Sequence, residues 1–336
     1  MRVTSDVLLK IAQDYIQAQA KKTSSLLAAF VHGAALSESP LLSGTGDIDL
    51  FLIFNESMPE TRQMQRVTDE IHLDIASFPR NAFQQTRKIR LHPWFGPAIN
   101  ACKILYDPQH FLDFIQASVR GQFARPDNIL ARSQSQVVHS RQIWLEYQLG
   151  LPEPTPQAVQ KYLMAVSQAA NAIACLSGAP LTERRFLIEF PQRTQSVGQS
   201  ELLFGSLLGL LGTARVNLSN VTAWLQAWRD TYEAVPEEQR PASLSLYRRQ
   251  YYQQFFEAFL ETGRYALIIW PLWRSWTKAA ACLPESSPER VAWRTAGEQL
   301  GLIGDAFAEK IYALDVFLDL IEEILEVWAQ NHGAAA

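Results

Sequence analysis

Residues 30–54 read FVHGAALSESPLLSGTGDIDLFLIF. An apolar run meets Gly33, a loop rich in Ser, Pro, Gly and Thr follows, and a second apolar run opens on Asp47 and Asp49. Side chains two apart on a strand point the same way, so the two aspartates project together about 7 Å apart. Carboxylates sharing a face repel one another unless a cation lies between them. Mg²⁺ suits that arrangement, because it takes a few carboxylates together with substrate phosphates. Metal-assisted phosphoryl or nucleotidyl transfer is the chemistry such a strand can support.

Working outward, residues 1–20 place Val7, Leu8, Ile11, Tyr15 and Ile16 at helical spacing, and Leu26–His32 reads as a strand. Pro59–Asp69 is polar and is predicted to be helical. Ile71–Phe78 is a further strand with Asp74 at its centre, residues 80–92 form a predicted basic helix, and ACKILYDP (101–108) a short strand and turn before a helix near 109–120. A charge in mid-strand is expensive unless paired or metal-bound. Asp47, Asp49 and Asp74 in neighbouring strands therefore form a candidate three-carboxylate site, able to hold one or two divalent ions.

Beyond residue 125 strand signals vanish. Helices are predicted at roughly 128–149, 156–177, 199–212, 217–233, 243–262, 264–281 and 288–330, with a Pro-rich break at LPEPTP (151–156). The expected fold class is α+β: a small mixed sheet with helices over residues 1–122, then a larger all-helical domain over 123–336. The stripe Phe307, Ile311, Leu314, Phe317, Leu318, Ile321, Leu325 and Trp328 suits an intrachain core or an interface, a homodimer included. The aromatic run RYALIIWPLWRSW (264–276) is expected to be core, and Glu183, Arg184, Arg185 and Glu189 to be ion-paired.

The 336 residues carry a net charge of −4, which gives no bulk basic field for a long nucleic acid. Three isolated cysteines offer no zinc spacing and no complete disulfide framework. The N-terminus lacks a signal-peptide pattern and no apolar run reaches the ~20 residues of a membrane span. A cytoplasmic protein without membrane association is the expectation.

The order helix, strand ending in glycine, loop, Asp-x-Asp strand and later carboxylate resembles the nucleotidyltransferase superfamily that includes DNA polymerase beta and the aminoglycoside nucleotidyltransferases. His32-Gly33-Ala34, Asp47-Ile48-Asp49 and Asp74 carry the resemblance, over about the first 110 residues. It implies a nucleotidyltransferase-type sheet in which Asp47 and Asp49 bind Mg²⁺ ions bridging a nucleoside triphosphate, ATP being the expected one. It also implies that Asp74 is a third metal ligand or the base on the acceptor hydroxyl, and that Gly33 lets the backbone approach the phosphates. Ala34 stands where the family usually carries Ser, so the nearby hydroxyls of Ser37, Ser39, Ser43 or Thr45 would take its place. Gly33, Ala34 and Ser43, with the cations Lys103 and Lys161, are the expected nucleotide contacts. Gln157 precedes Lys161 by four residues, where the aminoglycoside enzymes place a base. The acceptor is expected to be a hydroxyl on an aminoglycoside-like small molecule or a protein, bound between the two domains. The alternative is a nucleotide-binding scaffold with weak or no turnover, serving as a regulatory or toxin–antitoxin module.

Overall fold

The computed structural model describes residues 3–150 and 153–334, so Leu151 and Pro152 of the predicted Pro-rich break lie outside the described residues. A five-stranded mixed sheet near the N-terminus is followed by a mostly helical region, which is an α+β arrangement. The chain clusters into two compact units. One comprises residues 1–128 with Tyr247–Gln254, the other Ile129–Leu246 with Phe255–Ala336.

In the first unit, α1 (Ser5–Lys22) leads into β1 (Leu26–His32), β2 (Gly46–Phe54), β3 (Thr61–Arg66), β4 (Ile71–Pro79), α2 (Thr86–Leu91), α3 (Phe95–Ala101), β5 (Lys103–Tyr106) and α4 (Phe111–Arg120). The strand order is β3-β4-β2-β1-β5. β1 is antiparallel to β2 and β5, β3 is antiparallel to β4, and β2 runs parallel to β4. The parallel pair is possible because β3 turns the chain back outside β4.

Both faces of the sheet are covered, which is why β1 and β4 read as near-continuous apolar runs. On one face Leu8, Ala12 and Ile16 of α1 pack on Ala29, Val31, Ile48, Leu50, Leu73 and Ile75. On the other, Phe30, Ile53 and Phe78 meet Phe83, Ile89, Ile99, Leu112 and Ile115 from the segment 80–120. Alternation puts Asp47 and Asp49 on the same face as Phe51 and Ile53, one and two steps earlier along β2.

Two sequence expectations are corrected here. Pro59–Asp69 is not helical: Thr61–Arg66 pairs with Ser77–His72 as the edge strand β3. Residues 80–92 are not one helix but a 3₁₀ turn at Arg80–Phe83 followed by the short α2. The first error has a plain physical cause. TRQMQR is exposed except at Met64, so no buried face imposes a period, and only the hydrogen-bond ladder to β4 makes it a strand.

The helical region comprises α5 (Pro126–Leu149), α6 (Pro156–Ser177), α7 (Phe186–Thr194), α8 (Ser200–Leu210), α9 (Leu218–Ala234), α10 (Arg249–Glu261), α11 (Ile269–Ala280), α12 (Pro288–Leu300) and α13 (Phe307–His332). The predicted helix 288–330 is two helices. Gly301 closes α12 in the left-handed conformation, φ +70°, a termination that glycine adopts at little steric cost. The predicted helices 243–262 and 264–281 each begin as 3₁₀ turns before α10 and α11.

The aromatic run at 264–276 is core, as expected. Trp270, Trp273 and Trp276 are buried, Trp276 Nε1 donates to Thr231 Oγ1 at 2.8 Å, and Trp273 stacks on Trp293 at 5.8 Å. The α13 stripe is likewise buried from Phe307 to Trp328. Arg141 of α5 ties the exposed side of α13 to this bundle through Asp315, Asp319 and Glu322, at 2.5, 2.7 and 2.9 Å. Arg185 pairs with Glu189 at 3.1 Å and Glu183 with Arg274 at 3.3 Å, so Glu183, Arg185 and Glu189 are ion-paired.

A reciprocal cap starts α9. Asn217 Oδ1 accepts from the Asn220 N–H at 2.9 Å, and the Asn217 N–H donates to Asn220 Oδ1 at 3.4 Å. Loss of such a cap costs ~1 kcal/mol. Asn217→Ala is therefore expected to lower the unfolding free energy of the helical unit by that amount, read as a lower urea midpoint at unchanged m-value. An unchanged midpoint would mean that tertiary packing alone holds this helix end.

Among the described residues no helix is long and apolar enough to cross a membrane.

Candidate functional site

The site forms where the strand ends carrying the charges lie side by side. Register sets Asp49 opposite Asp74 and Asp47 opposite His72 across the parallel pair, and His32 opposite Asp49 across β1 and β2. Partners opposite one another share a face, so Asp47, Asp49, His72, Asp74 and His32 belong to one patch. Further along the same strands that face turns apolar, at Phe51, Ile53 and Phe78.

The glycine turn closes on this patch. Gly33 follows β1 at φ +75° and opens a 3₁₀ turn, Gly33–Leu36, that contains Ala34. A Cβ built on Gly33 would stand 2.7 Å from Asp49 Oδ2. Only a residue without a side chain leaves that carboxylate its present position. Ser37, at the end of this turn, directs its hydroxyl back to the Ala34 carbonyl at 2.8 Å. Ser43 sits at φ +51° beside Gly44 in the tight turn closed by the Leu42–Thr45 bridge.

Each outer carboxylate is held by an arginine. Arg62 of β3 forks onto Asp74: Nε donates to Oδ1 at 2.7 Å, and Nη2 donates to Oδ2. Arg248 Nη2 donates to Asp47 Oδ2 at 2.7 Å. Arg248 is itself fixed by Tyr251, whose ring centroid lies 4.4 Å from the guanidinium carbon, and by Met64 Sδ at 3.4 Å. His72 is fully buried between Asp47 and Tyr247, with Nδ1 3.6 Å from Asp47 Oδ1 and its ring stacked at 5.3 Å on the tyrosine. Tyr247 is anchored in turn by its hydroxyl, which donates to the Met64 carbonyl at 2.6 Å.

Asp49 has the least favourable electrostatic position. Loss of hydration, reinforced by Asp74 and Asp47 and opposed by Arg62 and Arg248, pushes its carboxyl up to about 8. Burial lowers His32 to about 4, against the pull of Asp74. Its imidazole is neutral at pH 7 and packs edge-on against Phe51 at 4.7 Å. Burial thus disfavours charge on both groups, and for Asp49 the neighbouring carboxylates add to that cost.

The three carboxylates of the patch are donors that suit a hard divalent ion, and the Gly33 backbone lies close against one of them. In this arrangement, however, Asp47 and Asp74 are turned to their arginines, and among the described residues no three His, Cys, Asp or Glu side chains converge in metal-ligating geometry. A divalent ion would be held by Asp47, Asp49 and Asp74 once it took the place of guanidinium contacts. The residues fit the group in chemistry and in strand position.

Lys103 pairs with Val31 on β1, so its side chain belongs to the α1 face of the sheet, opposite the carboxylates. Lys161 lies on α6 in the second unit, where it pairs with Glu146. The residues that sequence reasoning did not find are Arg62, His72, Tyr247 and Arg248. His72 had a signal, since it precedes Asp74 by two as Asp47 precedes Asp49. Arg62 was hidden by the misread strand, and Arg248 lies 201 residues from its partner. No protein-family model and no curated protein matches this chain.

Proposed function

We propose that this protein is a divalent-cation-dependent nucleotidyltransferase of the fold that the Asp-x-Asp strand resembles. In this reading it moves a nucleoside monophosphate from a nucleoside triphosphate to a hydroxyl on a small molecule or protein. The observation that carries the reading is the register of Asp49 beside Asp74, with the Gly33 turn pressed against the Asp49 carboxylate. Carboxylates are brought together at such electrostatic cost where a cation is to be bound.

Asp47 and Asp49 would hold Mg²⁺, with Asp74 as third ligand or as acceptor of the hydroxyl proton. When bound, the ion would neutralise charge on the triphosphate and lower the pKa of the attacking hydroxyl. The acceptor oxygen forms a bond to the α-phosphorus, the bond from that phosphorus to the bridging oxygen breaks, and pyrophosphate leaves. The Gly33–Leu36 turn lets the backbone lie close to the phosphates. His32, neutral and packed on Phe51, supplies no charge and serves as a wall.

The grip of Arg62 and Arg248 on two of the carboxylates, with Ala34 in place of a hydroxyl, supports the second reading: a nucleotide-binding scaffold with little turnover. Incubation with Mg²⁺ and each α-labelled triphosphate, against aminoglycosides and candidate protein acceptors, separates the two. Transfer of label supports the enzyme. Mg²⁺-dependent triphosphate binding without transfer selects the scaffold, and absence of any such binding overturns both.

A further inference from the structure

We propose that Arg62 and Arg248 are triphosphate ligands that occupy the carboxylates until metal and nucleotide arrive together. The inference rests on the nucleotidyl-transfer reading and adds to it two phosphate-binding residues and a coupling between the ion and the nucleotide.

The geometry differs between the two arginines in a way that assigns them separate parts. Arg248 is 5 % exposed and wedged against Tyr251, Tyr252 and Met64. Its burial and aromatic packing hold it in place, so it changes partners where it stands. Arg62 rises from the edge strand β3, and its side chain is 70 % exposed while its partner Asp74 is 5 % exposed. It can swing outward from the carboxylate while its guanidinium remains hydrated.

An ion entering alone would meet two opposing effects. It would take Asp47 and Asp74 from their arginines, and it would leave the Arg248 cation buried beside a dication. Both effects disfavour free metal. A triphosphate entering alone would find both guanidinium groups already engaged by Asp74 and Asp47. When the two enter together, the carboxylates pass to the ion and both guanidinium groups pass to phosphate oxygens, for which their forked donors are suited. No buried charge is then left without a partner. Such an exchange makes metal and triphosphate binding mutually reinforcing, and by linkage each tightens the other by the same factor.

Lys103 and Lys161, the cations expected from sequence, have other surroundings: the α1 face of the sheet and Glu146. Arg62 and Arg248 are the cations whose guanidinium groups already stand on Asp74 and Asp47.

The test uses the full chain, Mn²⁺ alone followed by electron paramagnetic resonance, and α,β-methylene ATP followed by calorimetry with and without Mg²⁺. In the wild type Mg²⁺ is expected to tighten the analogue at least tenfold. Arg62→Gln, at an exposed position, is expected to weaken the Mg²⁺–analogue complex at least tenfold while tightening Mn²⁺ alone about threefold, since Asp74 is released. Arg62→Lys, which keeps the charge without the fork, is expected to fall between. Arg248→Lys keeps a cation in the buried position and is expected to weaken the analogue about fivefold.

Equal weakening of Mn²⁺ and analogue in Arg62→Gln would make Arg62 a merely structural partner and overturn the proposal, as would no change in either. An unaltered analogue affinity in Arg248→Lys would overturn the part assigned to Arg248. If the wild type bound no Mg²⁺–analogue at all, the nucleotidyl-transfer reading itself would fall. Wild-type binding that the arginine variants leave intact would sink only the exchange.

Discussion

If the proposed transfer is this protein's reaction, Asp49→Asn is expected to abolish it, by a factor of ~10³ or more, and in any case to raise the melting temperature of the metal-free protein. The two effects have one cause. Asp49 stands opposite Asp74 and on the face of Asp47, and its carboxyl is pushed up to about 8 by lost hydration and by those two neighbours. An amide of the same shape removes the repulsion and also the negative ligand that a divalent ion requires. The stabilisation should be of order 1 kcal/mol or more, since one unit of pKa displacement is worth ~1.4 kcal/mol and the Asn amide must find new partners.

The pH dependence has a definite sign. The unfolded aspartate loses its proton near pH 4, whereas the folded one keeps it until about pH 8. Between those values the native state binds more protons than the unfolded state, so stability falls as pH rises and levels off above the folded value. The advantage of Asp49→Asn in chelator should therefore be larger at pH 8 than at pH 5. Calorimetric melts at the two pH values read this directly. An Asn variant less stable than wild type at both would show that Asp49 is well accommodated without metal, and would remove the main electrostatic support for a cation site.

Gly33→Ala carries the second large effect. Alanine at φ +75° is strained by ~1–2 kcal/mol, and its Cβ would stand 2.7 Å from Asp49 Oδ2, so the turn or the carboxylate must shift. Destabilisation of ~1–3 kcal/mol is expected, and, on the proposed reading, a ~10- to 100-fold loss of transfer from a misplaced ligand. Paired with Asp49→Ala, the cost of Gly33→Ala should shrink to the backbone strain alone, because the atom it collides with is gone. A double-mutant cycle by urea denaturation measures that coupling. Strict additivity would mean that the turn and the carboxylate do not share space.

Much of the first unit was legible locally. Strands β1, β2 and β4 announce themselves because each buries apolar side chains in the sheet, and the central charges of β2 and β4 stand out against that background. β3 was not legible. Its residues are exposed apart from Met64, and a polar segment that is a strand only through its neighbour's hydrogen bonds carries no period of its own. That one misreading also concealed Arg62, and with it the partner of Asp74. The split between α12 and α13 was missed for a smaller reason, since a Gly at a helix end is as readily a tolerated Gly in its middle.

What the amino-acid sequence determined by itself is the local part: apolar runs that must be strands, a glycine at the end of one, and three aspartates placed where burial makes a charge costly. Only the tertiary structure decided how those aspartates are answered. β3 turns the chain back so that β2 and β4 run parallel, which sets Asp49 against Asp74. The segment Tyr247–Gln254, distant in sequence, joins the sheet unit and brings Arg248 to Asp47. Periodicity reports which face of an element is buried, because that depends on neighbours within a few residues. It carries no record of which distant charge will neutralise a buried one, because that pairing exists only once the chain has closed on itself.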